Sequence, residues 1–287
     1  RFDGFYCFNP FAESVADPPD WLDLTTERSF DRYLRDARRV ESWLREAPMQ
    51  VLGRLPDSSN NALLCSIAAD DGPLRVVYKP QSGERPLWDF PSGTLCRREK
   101  AAAVLDEVLG WGLVPTTAWR EQGPAGPGIV QEWVDGDVDL AVFPPGGVPQ
   151  GWVGVVDAQT VDGPVVVAHR HDEATVRMIV FDALANNADR KGGHLLRTET
   201  ALFGIDHGVT FHVEPKLRTV LWGLAGVSVP DDVLAAVEAA LTGLEALEEW
   251  LTAREVAQVH RRAERLLAAG TFPTPSGDWP ALPWPLI

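Results

Sequence analysis

A chain of 287 residues with 45% hydrophobic and 23% charged residues is long enough for one large domain or two lobes around a sizeable core. Its 41 acidic against 26 basic residues give a formal net charge of −15, which repels nucleic-acid backbones and anionic lipid surfaces unless a local basic patch escapes the average. No apolar run approaches the roughly 20 residues that span a bilayer, the opening RFDGFYCFNP lacks the pattern of a secretion signal, and Cys7, Cys65 and Cys96 without CxxC spacing point to reduced thiols in the cytoplasm.

Residues 1–47 read as an appendage: an apolar FYCFNPF stretch, then an amphipathic helix from Glu27 to Arg45 with Phe30, Leu34, Val40 and Leu44 as its apolar positions. From Met49 the runs MQVLGRL, NALLCSIAA and LRVVYKP, broken by turn residues, predict a three-stranded antiparallel meander. A Pro- and Gly-bearing loop, QSGERPLWDFPSGT, leads into a helix from about Leu95 to Leu109 with Gly110 as its stop, and VPTTAWR and GIVQEWV supply two more strands. This order describes a small α+β lobe over 48–135. The remainder, 136–287, reads as mainly helical. Its Val/Gly/Pro-rich stretch 139–170 fits no single element, a helix is expected from Asp172 to Leu184, two short strands are expected in HLLRT and ALFGID, and helix is expected from Pro230 to Gly270. The tail TFPTPSGDWPALPWPLI is expected to lie extended, its tryptophans against the body.

Four residues fall in a telling order: Lys79 ending a strand, Glu99 in the next helix, Asp189 in the polar segment ANNADRKGGHLL after an apolar helix, and Asp206 ending a strand in GIDHG. Each alone has an ordinary explanation as a solvated or turn residue. Together they match what phosphoryl transfer requires, which is positioning and charge neutralisation more than covalent chemistry. A strand lysine neutralises phosphates, and a helix carboxylate fixes that lysine. One strand-end carboxylate holds a hard cation, and a loop carboxylate takes the attacking hydroxyl's proton.

In this order the motifs resemble the phosphatidylinositol 3-/4-kinase-related branch of the protein-kinase-like fold, especially type II phosphatidylinositol 4-kinases, their bacterial relatives and an actinobacterial kinase-like group. The match covers about residues 49–270, through VVYKP, RREKAAAVLDEVLGWGLVP, ANNADRKGGHLL and GIDHGVTF. The resemblance implies a two-lobed α+β fold with a small antiparallel-sheet lobe and a mainly helical lobe. It implies Lys79 on the α/β phosphates, Glu99 positioning it, Asp189 as the catalytic carboxylate with Arg190 adjoining, and Asp206 as principal ligand of Mg2+ or Mn2+. Ser58, Ser59 and Asn60 match the phosphate-covering loop, and backbone groups from Glu132 to Val134 match the adenine-reading connection. Where the family carries Asn as second metal ligand, five residues after the catalytic Asp, this chain has His194, a softer donor. The implied activity is transfer of the γ-phosphate of ATP to a hydroxyl of a small molecule, lipid head group or protein; the net charge of −15 argues against stable membrane association and against nucleic acid. A nucleotide-binding pseudokinase scaffold and an AMP-transferring variant of the same fold are the alternatives.

Overall fold

The computed structural model describes residues 38–55, 60–70, 72–277 and 279–286. The expectations for residues 1–37, Cys7 among them, and for Ser58 and Ser59 lie outside the described residues.

Five strands form the first sheet: β1 (Met49–Arg54), β2 (Leu63–Ala69), β3 (Gly72–Pro80), β4 (Thr117–Gly123) and β5 (Gly126–Glu132). They pair antiparallel throughout, in the order β1-β2-β3-β5-β4. Alternation decides which face is buried. Cys65, Ile67, Val76, Tyr78, Ala118 and Val130 point to one side, where they form a core with the fully buried Leu44. Leu44 belongs to helix α1, described over 38–46, whose Val40 and Trp43 also pack on that core, as does Ala47 beyond its end. Arg120 on β4 donates to the carbonyls of Leu44 (3.1 Å) and Ala47 (2.8 Å), and Lys100 donates to Glu41 (2.9 Å). The expected boundary after residue 47 therefore separates a helix from the sheet it covers, and residues 38–47 are part of the small lobe's packing.

Helix α2 (Leu95–Leu109) links the lobes, its Ala101–Leu105 face lying in the larger core. Its first amides, Leu95 and Cys96, donate to the Glu84 carboxylate at 3.1 and 2.8 Å, an acidic cap borrowed from the preceding loop. It stops at Gly110, which adopts φ 68° and donates to the Asp106 carbonyl at 2.8 Å.

The larger lobe begins with β6 (Asp137–Val138) and a three-stranded antiparallel sheet of β7 (Ala141–Phe143), β8 (Trp152–Thr160) and β9 (Gly163–Arg170), ordered β7-β9-β8. This sheet occupies the stretch that the sequence pattern left unassigned. Valines give it β-propensity, and Gly163 turns the β8–β9 hairpin at φ 129°. Helix α3 (Glu173–Ala185) follows, capped by Asp172, which accepts from the Thr175 amide at 2.9 Å. Then come β10 (Leu195–Arg197) and β11 (Leu202–Gly204), which form a small sheet with β6. The helical region after Pro230 is two helices, α4 (Asp231–Ala240) and α5 (Ala253–Ala269), separated by 3-10 turns over Leu241–Glu249. Gly243 in that segment lies so close to α2 that a Cβ would sit 3.0 Å from Val108 Cγ1. Helix α5 opens on a Thr252–Glu255 capping box and buries Val256, Val259, Ala263 and Leu266 along one stripe. The tail crosses the lobe: Ala281 accepts from the Thr219 amide at 3.1 Å, and Leu286 from the Gly192 amide at 2.7 Å. Trp279 stacks on Lys216, while Trp284 stays 74% exposed.

Candidate active site

Register on β3 places Lys79 opposite Ile129 and aims its ammonium at α2. Its Nζ donates to Glu99 and, at 3.0 Å, to Asp206 Oδ1, so residues 20 and 127 positions away meet on one cation. Lys79 is 9% exposed and Glu99 2%. Burial opposes the charge on Lys79, but Asp206 and Glu99 outweigh it and hold the ammonium above its ordinary pKa. Asp206 sits in the left-handed region at φ 59°, and the Lys79 ammonium beside it holds its carboxyl well below the usual range. Glu99 reaches the same segment from the other side, because its second oxygen accepts from the His207 amide at 2.9 Å.

The loop carrying Asp189 starts where Asn186 ends α3 in a left-handed turn, φ 51°. Asp189 is part-exposed, and its amide donates to Asn187 Oδ1 at 3.0 Å. Lys191 Nζ lies 2.9 Å from one carboxylate oxygen of Asp189, and Arg218 Nη2 lies 3.7 Å from the other. Arg218 is seated by its Nε, which donates to the Ala188 carbonyl at 2.6 Å. Neither cation stood out in the sequence. Lys191, two residues after Asp189, was open to inspection, whereas Arg218 gives no local signal.

Arg190, expected beside the chemistry, is fully buried. It forks onto Asp182 of α3 through Nε and Nη2, both at 2.9 Å. It also donates to the Ile205 carbonyl at 2.9 Å and to His207 Nε2 at 2.7 Å. Its position is thus behind the loop rather than at the reacting groups. Burial, then the Arg190 and Lys79 cations, hold His207 well below the usual histidine range. Because Arg190 can only donate, the neutral ring accepts at Nε2 and carries its proton on Nδ1.

His194 Nε2 lies 3.4 Å from Asp206 Oδ2, and its Nδ1 faces the Lys191 amide at 3.5 Å. Burial holds this imidazole below its ordinary pKa, so it is neutral near pH 7. Among the described residues no three His, Cys, Asp or Glu side chains converge as a metal cage. Asp206 with His194 beside it fits a magnesium or manganese ion that takes most of its ligands from phosphate oxygens and water. Of the other expected positions, Asn60 accepts from the Arg85 amide at 3.3 Å, just beyond the strand that bears Lys79. Glu132 and Trp133 donate their amides to the carbonyls of Thr116 (2.9 Å) and Arg75 (3.1 Å), and burial pushes the Glu132 carboxyl up. They end β5 where the chain leaves the sheet, with Val134 half-buried after them.

No family model matches the chain. Protein Rv2133c of Mycobacterium tuberculosis is 44% identical over 261 residues, which cover 84% of this chain and 93% of that protein. The chain belongs to the Rv2133c family. Among solved structures, hydra Fam20 with sugar superposes with a TM-score of 0.52 at 12% identity, covering 86% of this chain and 89% of its own. The Golgi casein kinase (TM-score 0.44, 13% identity, covering 85% and 76%) and the Helicobacter pylori kinase CtkA (0.42, 11%, covering 80% and 94%) are more distant. The Fam20 likeness places this Rv2133c-family chain in the two-lobed, kinase-like α+β fold. None of these named structures is a phosphatidylinositol kinase. No helix among the described residues is long and apolar enough to cross a membrane.

Proposed function

We propose that this Rv2133c-family chain is an ATP- and metal-dependent phosphotransferase acting on a hydroxyl. The observation that carries the reading is Lys79, a small-lobe lysine held between Glu99 of α2 and Asp206 of the large lobe. A buried ammonium shared by two carboxylates from separate lobes is poised to exchange one of them for phosphate oxygens. In this reading Lys79 neutralises the α/β phosphates, Glu99 keeps it oriented, and the backbone of Glu132 to Val134 reads adenine through groups other than the Glu132 and Trp133 amides, which are bonded to Thr116 and Arg75. Asn60, with Ser58 and Ser59, covers the phosphates. Asp206 and His194 hold Mg2+ or Mn2+, and the ion, when bound, supplies neutralising charge. Asp189 orients the acceptor hydroxyl and takes its proton, while Lys191 and Arg218 offset the negative charge gathered there. Arg190 supports the loop from behind.

The finer assignment, a phosphatidylinositol 3-/4-kinase-like subtype, rests on the likeness of the motifs alone; a small molecule, a protein or a lipid head group can each present the hydroxyl. One observation favours a second reading. His194 faces Asp206 as a hydrogen-bonding partner would, which suits a nucleotide-binding pseudokinase. Incubation with ATP and either Mg2+ or Mn2+ separates the readings by what is released. ADP supports phosphotransfer, pyrophosphate means AMP transfer, and bound but unchanged ATP means a scaffold.

A further inference from the structure

Helix α3 runs MIVFDALA, a single carboxylate set among apolar residues. Asp182 is 1% exposed, and a carboxylate is stable at such depth only when it is paired and hydrogen-bonded. Its partners are Arg190, through three contacts of 2.9–3.2 Å, and Asn187, whose Nδ2 donates at 3.0 Å. Each partner then reaches a different part of the site. Asn187 Oδ1 accepts from the Asp189 amide at 3.0 Å. Arg190 Nη1 donates to the carbonyls of Ile205 (2.9 Å) and His194 (3.3 Å), the residue before Asp206 and the residue facing it. Arg190 Nη2 reaches His207, whose amide meets Glu99, which holds Lys79.

One unbroken run of hydrogen bonds therefore joins Lys79 to Asp189; Asp182 ties its two arms together, and Arg190 is where it branches to the Asp206 segment. We infer that Asp182 and Asn187 are positioning residues, which set the Asp189 loop and the Asp206 segment as one rigid unit relative to the lysine. The inference rests on the phosphotransferase reading for its kinetic consequence, but its structural half stands apart from it. A merely structural pair would hold the fold together and leave the relative placement of the two carboxylates to other contacts. Here the bonds end on the backbone of the site itself: the amide of Asp189, the carbonyl before Asp206 and the carbonyl of His194.

Asn187→Ala, in the full chain, is the cleaner test, since it cuts the arm to Asp189 and leaves the buried Asp182–Arg190 fork in place. ADP release should fall by about 10- to 100-fold in kcat, as expected for a misplaced catalytic group, with KM for ATP within about twofold and the thermal midpoint lowered by only a few degrees, the cost of truncating a buried amide. Amide exchange over 189–194 should quicken, while the amides of 205–207, β3 and α2 keep their protection. Asp182→Asn, which keeps the shape and removes the charge, should quicken exchange over the same loop and over 205–207 as well. Unchanged kcat in Asn187→Ala, or a parallel loss of kcat, KM and melting temperature, overturns the positioning role. If the unmodified chain releases no ADP, the phosphotransferase reading fails and exchange alone decides. Faster exchange confined to the loop then supports positioning, and unchanged exchange refutes it.

Discussion

Replacing Glu99 by glutamine tests the arrangement at its most constrained point. The carboxylate accepts at both oxygens, one from Lys79 Nζ and the other from the His207 amide. A primary amide has one acceptor, so Glu99→Gln must turn an N–H toward either the ammonium or the His207 amide. The variant loses one charge-assisted bond and gains a donor facing a donor. Lys79 keeps Asp206 at 3.0 Å, so its charge stays compensated and the fold survives. A hydrogen bond to a charged group is worth about 1.5–3 kcal/mol. If all of it is lost from the transition state, kcat/KM for ATP falls roughly 10- to 150-fold. Lys79 also settles more fully on Asp206, which withdraws that carboxylate from a divalent ion and raises the metal concentration needed for half-maximal rate. ADP release, titrated separately with ATP and with Mg2+ or Mn2+, reads both effects, and a thermal melt shows whether the variant is folded. A folded Glu99→Gln with turnover within about twofold of the parent, at subsaturating ATP and metal, would refute the role given to the Lys79–Glu99 pair.

Three further outcomes are expected. Asp189→Asn should bind ATP with affinity within a few fold of the parent in a calorimetric titration, yet lose roughly 10²–10⁴ in turnover, the loss typical of a missing proton acceptor. Asp106, buried on α2 and accepting from the Val114 amide at 2.8 Å, is pushed up to about 7 by burial. The folded chain thus holds that proton more tightly than the unfolded chain, this contribution to stability falls as pH rises from about 4 to 7, and Asp106→Asn should gain about 1–3 kcal/mol over the parent in denaturant melts at pH 8 but little at pH 4. Leu44→Ala should cost about 2–5 kcal/mol, and a chain starting at residue 48 should melt well below one starting at 38, because Leu44 is fully buried in the small-lobe core.

What the sequence made legible follows from where each kind of residue must stand. Lys79, Asp189 and Asp206 lie at the ends of elements or in turns, where Pro, Asn and Gly punctuate the chain, so each is set in a local pattern that can be read without a fold. The groups that hold them are different. Glu99 meets His207, Asp182 meets Asn187 and Arg190, and Arg218 meets Asp189, across separations of up to 108 positions. Nothing near Arg218 marks it, and Arg190, adjoining the loop carboxylate in sequence, points the opposite way into the core. The β7–β9 sheet was obscured for another reason. Strand β8 is bulged between Gly154 and Val156, so the alternation of Val156 to Thr160 is out of phase with its start and no single period runs its length. The packing of residues 38–47 on the sheet is not legible in the sequence because a charged, amphipathic helix looks the same whether its apolar stripe is covered by its own domain or by a partner.

Net charge is likewise a property of the whole chain that the site does not share. The −15 total argues against a polyanion wrapping over a broad surface, since such binding sums many phosphate contacts. A nucleotide's phosphates occupy a few ångströms, less than the screening length of about 8 Å at physiological salt. At the site, Lys79 faces Glu99 and Asp206, and Lys191 and Arg218 face Asp189, each in contacts of 3.7 Å or less. Three cations and three carboxylates cancel in formal charge, so neither set is left uncompensated there. In the proposed reading, a triphosphate with a divalent ion would divide between them: oxygens to the cations, metal to Asp206. An acidic surface is therefore compatible with the proposed nucleotide site, because its carboxylates would hold the metal that the phosphates carry.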